Sequence, residues 1–445
     1  MTSAIRAVVN ICSRIMVIVP LFGLYVAMNG TAALALESGD AGFGWQWVRR
    51  HPFVIQAATV DPNTWDIAKY VDTGITVLQW DPTNPWTTPP PEYANMPWHA
   101  YANNGAPSLP GQTGWLVGDE PSYLAMREKY AKIVQRLRQQ PAERQKIIYT
   151  TALGNNANTT NWYGDGSNPS YTYDQYLDDF ISIIKPDVLF FDNYPFSSDG
   201  KTSDTYLENL MVIRAKAKAN NLPYWGWLQA YRNISESDNR FNVYTHLTTG
   251  FTGLSYWTYD YAASSRNGMI DNKGDPTPRY SIIKRTNAEV AILGRSLRFL
   301  TSTDARFLPG RHTALSGTAE NTTPVGLTNW SAGAGGDPHV QDVSVDSGQP
   351  GYTQNGMLGL FTDDDDNHYF MLTNLNHAQG LSAAEGSLSF TMTFDEQVKS
   401  IWLLNRTTGE VQEITLSNHV LNWSLPGGTG DLFKYDNGNF VGLVP

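Results

Sequence analysis

The chain has 445 residues, of which 41% are hydrophobic and 16% are charged, so it can bury a sizeable core and long disorder is excluded. Its formal net charge of -11 argues against a nucleic-acid partner held through phosphate contacts. Aromatic residues make up 12%, which is common where sugar rings are stacked upon, although large cores also use aromatics.

The N-terminus has the pattern of a secretory signal peptide over residues 1–35. Arg6 and Arg14 precede the apolar run Ile15–Ala27, and Ala33-Leu-Ala35 offers small residues for cleavage. An uncleaved membrane anchor is the alternative. No later segment is apolar and long enough to span a membrane, and the single cysteine, Cys12, lies inside the leader. We therefore expect a secreted, periplasmic or cell-envelope protein without disulfides.

Short apolar segments alternate with amphipathic ones from about residue 50 to residue 300. The predicted strands are Phe53–Ala57, Ile75–Trp80, Trp98–Tyr101, Trp115–Gly118, Lys146–Thr150, Val188–Phe191, Tyr224–Leu228 and Leu254–Trp257. The predicted helices are Tyr123–Leu137, with Ser122 as N-cap, Tyr173–Ile184, Tyr206–Ala219 and Ser281–Phe299. This alternation predicts an α/β fold, a (β/α)8 TIM barrel over residues 45–300. The alternative, a doubly wound open sheet, lacks a Gly-rich phosphate loop after the first strand.

The composition changes after Thr301, where Gly, Ser, Thr, Asn and Asp dominate. Short strands are predicted at Tyr369–Thr373, Leu388–Phe394, Ser400–Leu404, Glu410–Ile414 and Asp431–Lys434. We expect a C-terminal antiparallel β-sandwich over residues 305–445. The run Asp363–Asp366 is interpreted as a solvated turn, with a calcium site as the alternative.

Polar and aromatic residues follow the barrel strands at the end where chemistry occurs in this fold. They are Asp61, Trp80-Asp81, Asp119-Glu120, Asp192–Phe196, Gln229–Arg232 and Trp257–Asp260. No His and carboxylate set has the spacing of metal ligands, and no G-x-S-x-G elbow is present. We therefore predict no metal and no cofactor.

A rim of carboxylates and aromatics fits the cleavage of glycosidic bonds. That reaction needs a protonated acid beside the leaving oxygen and a second group that supports an oxocarbenium-like centre. Repulsion between Asp119 and Glu120 would raise the pKa of one of them, as such an acid requires. The alternative is a structural pair that closes the barrel, with Arg232 as partner. Six tryptophans are candidates for sugar stacking, and Trp80 and Trp257 are favoured over Trp86, Trp115, Trp225 and Trp227 because they end strands. His99 is expected to be a local hydrogen-bonding residue.

The sequence Gly118-Asp-Glu-Pro121 at the end of the fourth strand is similar to the "NEP" of the clan A glycoside hydrolases. The resemblance covers most of residues 45–300 and implies that Glu120 is the acid/base, with Asp119 where the clan has Asn. The clan places a nucleophilic Glu at the end of strand seven, and this chain departs from the pattern there with Gln229.

The adjacent Asp and Glu also resemble the pair of the β-N-acetylhexosaminidases and related endo-acting galactosaminidases. In those families the acetamido group of the substrate replaces the enzyme nucleophile, the Asp orients this group, and a Tyr supports its oxygen. The resemblance implies those roles for Asp119 and, for the Tyr, Tyr194. For neutral sugars, Asp192 or Asp260 would be the second carboxylate.

The sequence therefore predicts a secreted glycoside hydrolase that acts on a polysaccharide or oligosaccharide. The predicted catalytic residues are Glu120, Asp119, Asp192 and Asp260, and the predicted substrate contacts are Tyr194, Gln229, Tyr231, Trp257, Trp80 and Asp81. Two alternatives from other classes are a non-catalytic carbohydrate-binding protein on a degenerate barrel and a structural envelope protein.

Overall fold

A computed structural model describes residues 36–59, 66–80, 95–102, 111–157, 168, 170–260, 267–314, 317–346 and 354–443. The predicted signal peptide lies outside the described residues, as do Asp61, Asp81 and Trp86. Of Trp80 and of residues 312–314 and 317–319, only the backbone is described.

Seven α-helices lie within the described residues. They are α1 (Phe43–Arg50), α2 (Ile67–Asp72), α3 (Leu124–Arg138), α4 (Tyr173–Ile184), α5 (Tyr206–Ala219), α6 (Glu236–Thr249) and α7 (Pro278–Leu297). Two short 3-10 helices span Pro141–Glu143 and Ala334–Gly336.

Of the strands in the described ranges, eight belong to the first part of the chain and eleven to the second. The first eight are β1 (Val54–Ala57), β2 (Leu78–Trp80), β3 (Trp98–Tyr101), β4 (Gln112–Leu116), β5 (Ile147–Ala152), β6 (Val188–Asp192), β7 (Tyr224–Gln229) and β8 (Gly253–Trp257). The others are β9 (Thr301–Leu308), β10 (Arg311–Ala314), β11 (Gly317–Glu320), β12 (Val340–Val345), β13 (Gly356–Thr362), β14 (His368–Asn374), β15 (Leu388–Phe394), β16 (Ser400–Leu404), β17 (Val411–Thr415), β18 (Val420–Leu425) and β19 (Gly430–Lys434).

The first eight strands form one parallel sheet that curls into a nearly closed barrel. The strand order is β1-β8-β7-β6-β5-β4-β3-β2, so the chain's first two strands meet at the seam. There the Ile55 carbonyl accepts hydrogen bonds from the backbone N–H groups of Thr76 and Val77, at 2.9 and 3.2 Å. The Ile55 N–H donates to the Thr76 hydroxyl at 2.9 Å. The predicted TIM barrel is confirmed, including its third strand.

Aromatic side chains fill the barrel at the end where the strands begin. Trp47 of α1 donates from its indole N–H to the Thr113 carbonyl at the start of β4, 3.2 Å away. Its ring packs 5.5 Å from His99 and 5.9 Å from Trp225. His99 is fully buried, and its Nδ1 hydrogen-bonds the Tyr149 hydroxyl at 2.9 Å. Helix α1 therefore plugs this end, and only the opposite end, where the strands finish, is left for a site.

The second part of the chain is the predicted antiparallel β-sandwich. One sheet has six strands in the order β17-β16-β19-β14-β13-β9, and a second has three in the order β12-β15-β18. Phe370 of the larger sheet packs 5.9 Å from Phe394 of the smaller one and stacks on Phe433 at 4.8 Å. The hairpin of β10 and β11 forms a separate two-stranded sheet.

Helix α6, which lies outside the four predicted helices, is polar in sequence and yet almost fully buried. Every residue of the helix except Glu236 is buried. Its Asn242 side chain accepts from the backbone of β7, while its Thr248 hydroxyl meets the Thr373 hydroxyl of β14 at 2.6 Å. Gly359 of β13 allows a close approach to α6, because a Cβ there would lie 2.2 Å from the Thr248 carbonyl oxygen. The helix therefore joins the barrel to the sandwich.

The predicted start of α3 is wrong by one position. Tyr123, not Ser122, is the N-cap, and it makes no side-chain capping hydrogen bond. The Ser122 hydroxyl faces the sulfur of Met126 instead, at 4.0 Å. Among the described residues, no helix has the length and apolar character needed to cross a bilayer.

The run Asp363–Asp366 forms a tight turn. The Asp363 carboxylate accepts from the backbone N–H groups of Asp365 and Asn367, both at 3.0 Å, and from the Tyr369 hydroxyl at 2.9 Å. Asp364 pairs with Arg49 at 2.7 Å. The acidic run is therefore a turn in which the Asp363 carboxylate is hydrogen-bonded to the backbone of the turn itself.

A cut after Leu300 should yield two pieces that are poorly soluble alone. The C-terminal piece should give β-type circular dichroism and the N-terminal piece a mixed α/β spectrum. Both should bind a hydrophobic dye, because the apolar cluster around Tyr244 and Leu247 of α6 includes Met371 of β14 and would be opened. Co-expression of the two pieces is the control and should restore solubility. A strongly helical C-terminal piece would contradict the two-part architecture, and a soluble N-terminal piece that binds no dye would contradict the shared apolar cluster.

Candidate functional site

The loop after β4 carries two adjacent carboxylates at the open end of the barrel. Glu120 has a left-handed backbone (φ 40°), which is costly for a residue with a side chain and is typical of functional sites. Its N–H donates to the Thr151 carbonyl at the end of β5, at 3.0 Å. Within the described part of the chain, neither Asp119 nor Glu120 belongs to an ion pair. The structural alternative, a pair neutralised by Arg232, is therefore not supported.

Asp119 is exposed to solvent, yet the pKa of its carboxyl lies above the ordinary value for Asp. Desolvation by the surrounding protein, followed by repulsion from Glu120, raises its pKa to about 6. A hydrogen bond from Thr151 acts in the opposite direction and lowers this pKa. The Thr151 hydroxyl also accepts the indole N–H of Trp227 at 3.1 Å, so its own hydrogen is directed to Asp119.

Asp192, at the end of β6, completes a cluster of three carboxylates. Its pKa is raised well above the usual value, first by burial and then by the charge on Glu120. A side-chain interaction with Glu120 raises the pKa of Asp192 further, and the charge on Asp119 adds a smaller increase.

Tyr194 lies beside all three carboxylates. Burial, and then the charges of Asp192 and Asp119, raise the pKa of its phenol well above the ordinary range, so it stays a neutral hydroxyl. Its ring packs edge-to-face on Tyr231 at 5.5 Å. Tyr231 itself is only 4% exposed, which leaves Tyr194 as the accessible member of the pair.

Trp257, which ends β8, also reaches the open end of the barrel. It is partly exposed, and its ring meets that of the buried Trp227 edge-to-face at 6.1 Å. Trp80 ends β2, as predicted. Trp115 and Trp225 are buried, so they are core residues and not stacking surfaces.

Gln229, which was predicted to contact the substrate, is hydrogen-bonded to the backbone of a neighbouring loop. It is 0% exposed, and both ends of its amide are used by the backbone of Phe196. Its Oε1 accepts from the Phe196 N–H and its Nε2 donates to the Phe196 carbonyl, each at 3.0 Å. Arg232 donates to the same carbonyl. Gln229 is therefore a positioning residue that holds the loop of Asp192 and Tyr194.

Asp260 does not join the carboxylate cluster. It is fully buried, and its carboxylate accepts from the Thr258 hydroxyl at 3.2 Å. Its charge acts on the phenols of Tyr70 and Tyr259. Its role as a second catalytic carboxylate stays a prediction. His99 has the expected local role, and burial lowers its pKa to about 3.

Two parts of the site were missed by sequence reasoning. Thr151 comes one residue after the predicted end of the fifth strand, and this strand-end position was its only signal. Asn193 follows Asp192, and its Nδ2 donates to the Asn209 side chain at 2.9 Å and to that of Asn155 at 3.2 Å. These amides fix the backbone next to Asp192. Among the described residues, no group of three or more His, Cys, Asp or Glu side chains is arranged to hold a metal ion.

Gln229→Glu should destabilise the fold by about 1–3 kcal/mol at pH 7, because a carboxylate cannot donate to the Phe196 carbonyl. Burial raises the pKa of the new acid, so the variant should regain stability as the pH falls and the acid becomes a donor again. Urea unfolding between pH 4 and pH 8 measures this. The matched control is the reverse exchange, Glu236→Gln, at the partly exposed first residue of α6. Equal stability of Gln229→Glu and wild type at pH 7 would contradict the positioning role.

Thr151→Val should raise the pKa of Asp119 above its value of about 6, because the carboxylate loses a donor. The titration of 13C-labelled Asp carboxyl groups reports this directly, and Asp119→Asn identifies the signal. Thr151→Ser keeps the hydroxyl and should keep the midpoint. An unchanged midpoint in Thr151→Val would show that the hydroxyl does not act on Asp119.

No family model matches the chain, and no curated protein matches it either. Solved structures that match part of the chain include a rhamnosidase from Novosphingobium sp. PP1Y (TM-score 0.40, 10% identity, 70% of this chain and 39% of that chain). A putative alpha-L-fucosidase from Bacteroides thetaiotaomicron matches with TM-score 0.36 and 7% identity over 59% of this chain and 99% of that chain. The carboxyl transferase domain of Rhizobium etli pyruvate carboxylase matches with TM-score 0.32 and 11% identity over 55% of this chain and 47% of that chain. The chain thus spans about half of that first structure. Glycosidases are among the neighbours, but likenesses this low carry no argument about function.

Proposed function

We propose that the chain is a glycoside hydrolase in which Glu120 is the general acid/base and Asp119 orients the substrate. The observation that carries the proposal is the cluster of Asp119, Glu120 and Asp192 at the open end of the barrel. Mutual repulsion and burial make this cluster costly, and no described cation pairs with Asp119 or Glu120. Such an arrangement serves proton transfer better than stability.

Glu120 and Asp192 together supply the proton. Burial and the charge on Glu120 raise the pKa of Asp192, so Asp192 keeps a proton at a pH where an isolated carboxyl would be ionised. As the glycosidic C–O bond breaks, its electron pair goes to the leaving oxygen, which takes the proton from Glu120. The negative charge then remains on the pair and supports the positive sugar ring.

Asp119 is the better candidate for the second group. Burial and the charge on Glu120 raise the pKa of Asp192 well above the usual value. A carboxyl that keeps its proton is neither a nucleophile nor a water-activating base. This favours a substrate with an acetamido group, which Asp119 would orient and whose oxygen the Tyr194 hydroxyl would support.

The substrate is proposed to be an oligosaccharide or polysaccharide that enters at the exposed aromatic rim. Trp257 offers a partly exposed ring for stacking on a sugar. Export through the N-terminal leader would bring the chain to such polymers. The competing function, carbohydrate binding without catalysis, is separated from hydrolysis by the variants below.

Glu120→Gln should keep the fold and sugar binding but lose activity by at least about 10²–10⁴-fold on substrates with poor leaving groups, which is the usual contribution of acid/base catalysis. Aryl glycosides with good leaving groups need little protonation and should be partly spared. A panel of polysaccharides and N-acetylated aryl glycosides measures both classes, with product anomers followed by NMR. Unchanged hydrolysis by Glu120→Gln with a lower melting temperature would mean that Asp119 and Glu120 have a structural role. Sugar binding without hydrolysis by the wild-type chain would favour the carbohydrate-binding alternative.

A further inference from the structure

A cavity lies where the loop after β6 and the start of α5 meet the sandwich. Its volume is about 710 Å³, which is within the range of small-molecule sites, about 300–1,000 Å³. Buried apolar side chains form part of its lining, namely Leu207, Phe307 and Leu375. Thr202 and His377 also line it and contribute polar groups. The cavity can therefore hold a ligand that has an apolar part and a polar part.

His377 lies between a carboxylate and a hydroxyl. Its Nδ1 is 2.8 Å from Asp238 Oδ1, and its Nε2 is 3.4 Å from Thr202 Oγ1. Because a carboxylate only accepts, Nδ1 donates to Asp238, and the Nε2 of the neutral imidazole accepts from the Thr202 hydroxyl. The ring stacks on Phe241 at 3.9 Å and meets the Phe196 ring at 5.6 Å. The imidazole is thus fixed in the tautomer and orientation in which it can take a proton from Thr202.

The three side chains become more accessible in the order in which a nucleophilic site requires it. The Asp238 side chain is 5% exposed and that of His377 12% exposed, whereas Thr202 is a partly exposed residue. Asp238 also accepts from the Ser235 N–H at 3.0 Å, and the backbone of Thr202 forms a β-bridge with Phe196. Both ends of the set are therefore held in place. A contact of 3.4 Å between hydroxyl and base is long, as such contacts often are before substrate binds.

We propose that Thr202 and His377 form a second catalytic site, which hydrolyses a small carboxylic ester. Thr202 is the nucleophile, His377 is the general base, and Asp238 is the positioning residue that fixes the imidazole. A hydroxyl bonded to a base that is itself oriented by a third group is the arrangement used in nucleophilic catalysis. The inference goes beyond the proposed glycoside hydrolase function and does not depend on it.

The reaction proceeds through an acyl-threonine. Thr202 Oγ1 bonds to the ester carbon while its proton passes to His377 Nε2 and the carbonyl electron pair moves to the oxygen. The C=O bond then re-forms, the bond to the alcohol oxygen breaks, and the alcohol leaves with the proton from Nε2. Water repeats both steps on the acyl group, which releases the carboxylic acid and restores the hydroxyl. In the part of the chain that the structure describes, the Thr202 N–H donates no hydrogen bond, so it is available to the negative oxygen.

The lining of the cavity indicates which ester would bind. Lys201 and Asp204 line it with opposite charges, which favours an uncharged ligand over an acid or a phosphate. The apolar lining would contact the acyl chain, while the polar wall of Thr202 and His377 meets the ester group. The substrate class is therefore an uncharged ester with a short apolar acyl chain.

Thr202→Val should lower kcat/KM of the full chain on p-nitrophenyl butyrate at least about 10²-fold, because valine has nearly the same shape but no proton to transfer to His377. Thr202→Ser keeps a hydroxyl and should retain most of the activity. Ser203→Ala is the matched control, since it removes the neighbouring hydroxyl, which lies 3.3 Å from that of Thr205, and it should hydrolyse the ester like wild type.

A fluorophosphonate probe gives a readout that a merely structural role would not change. Thr202 Oγ1 should displace the fluoride, and mass spectrometry should find the phosphonyl group on Thr202 in wild type, on the serine of Thr202→Ser, and nowhere in Thr202→Val. Ester hydrolysis that is equal in wild type and Thr202→Val would overturn the proposal, as would a label on another residue. A wild-type chain that neither cleaves the ester nor takes up the probe would overturn it too, whatever its activity on glycosides.

Discussion

Mutual repulsion among Asp119, Glu120 and Asp192 is the constraint around which this barrel is built. Repulsion among these three carboxylates would be lower if their side chains turned towards solvent, but backbone contacts next to Glu120 and Asp192 limit that movement. Glu120 is fixed by its strained left-handed conformation and its hydrogen bond to Thr151. Asp192 is fixed through the amides that hold Asn193. The folded barrel must therefore offset an electrostatic cost in its core, as expected where local structure is destabilised for chemistry.

The sandwich contributes to that rigidity through helix α6 and through His377. The His377 ring stacks on Phe241 of α6 at 3.9 Å and meets the Phe196 ring at 5.6 Å, while its Nδ1 bonds Asp238 at 2.8 Å. Phe196 is also the residue whose backbone Gln229 holds. A continuous set of packed and hydrogen-bonded groups thus runs from the sandwich to the loop of Asp192. The C-terminal part is in this view a support for the site and not an independent appendage.

Strands and strand-end residues could be predicted from hydrophobic periodicity in the sequence. Features that depend on burial by a segment distant in the chain could not. The apolar strand after a Pro-rich stretch, Trp98–Tyr101, and the pair Asp119-Glu120 were both found from local pattern. Helix α6 was not, because both of its faces are covered and its buried residues are polar, so no apolar stripe marks it. The role of Gln229 was missed for a related reason, since its partner is the backbone of Phe196, 33 residues earlier in the chain.

The absence of a carboxylate at the end of β7 follows from the same contacts. The Phe196 peptide presents a donor and an acceptor side by side, and the Gln229 amide satisfies both at any pH, whereas an ionised carboxylate can only accept. A Glu at position 229 would place a carboxylate oxygen against a carbonyl and add another negative charge close to the loop of Asp192. Its pKa would rise until it took up a proton, and a protonated acid is no nucleophile. The side chain at position 229 therefore cannot both hold the Asp192 loop and act as a nucleophile at the end of β7. Under the proposed hydrolase function, the second reactive group would therefore come from Asp119 or from the substrate itself.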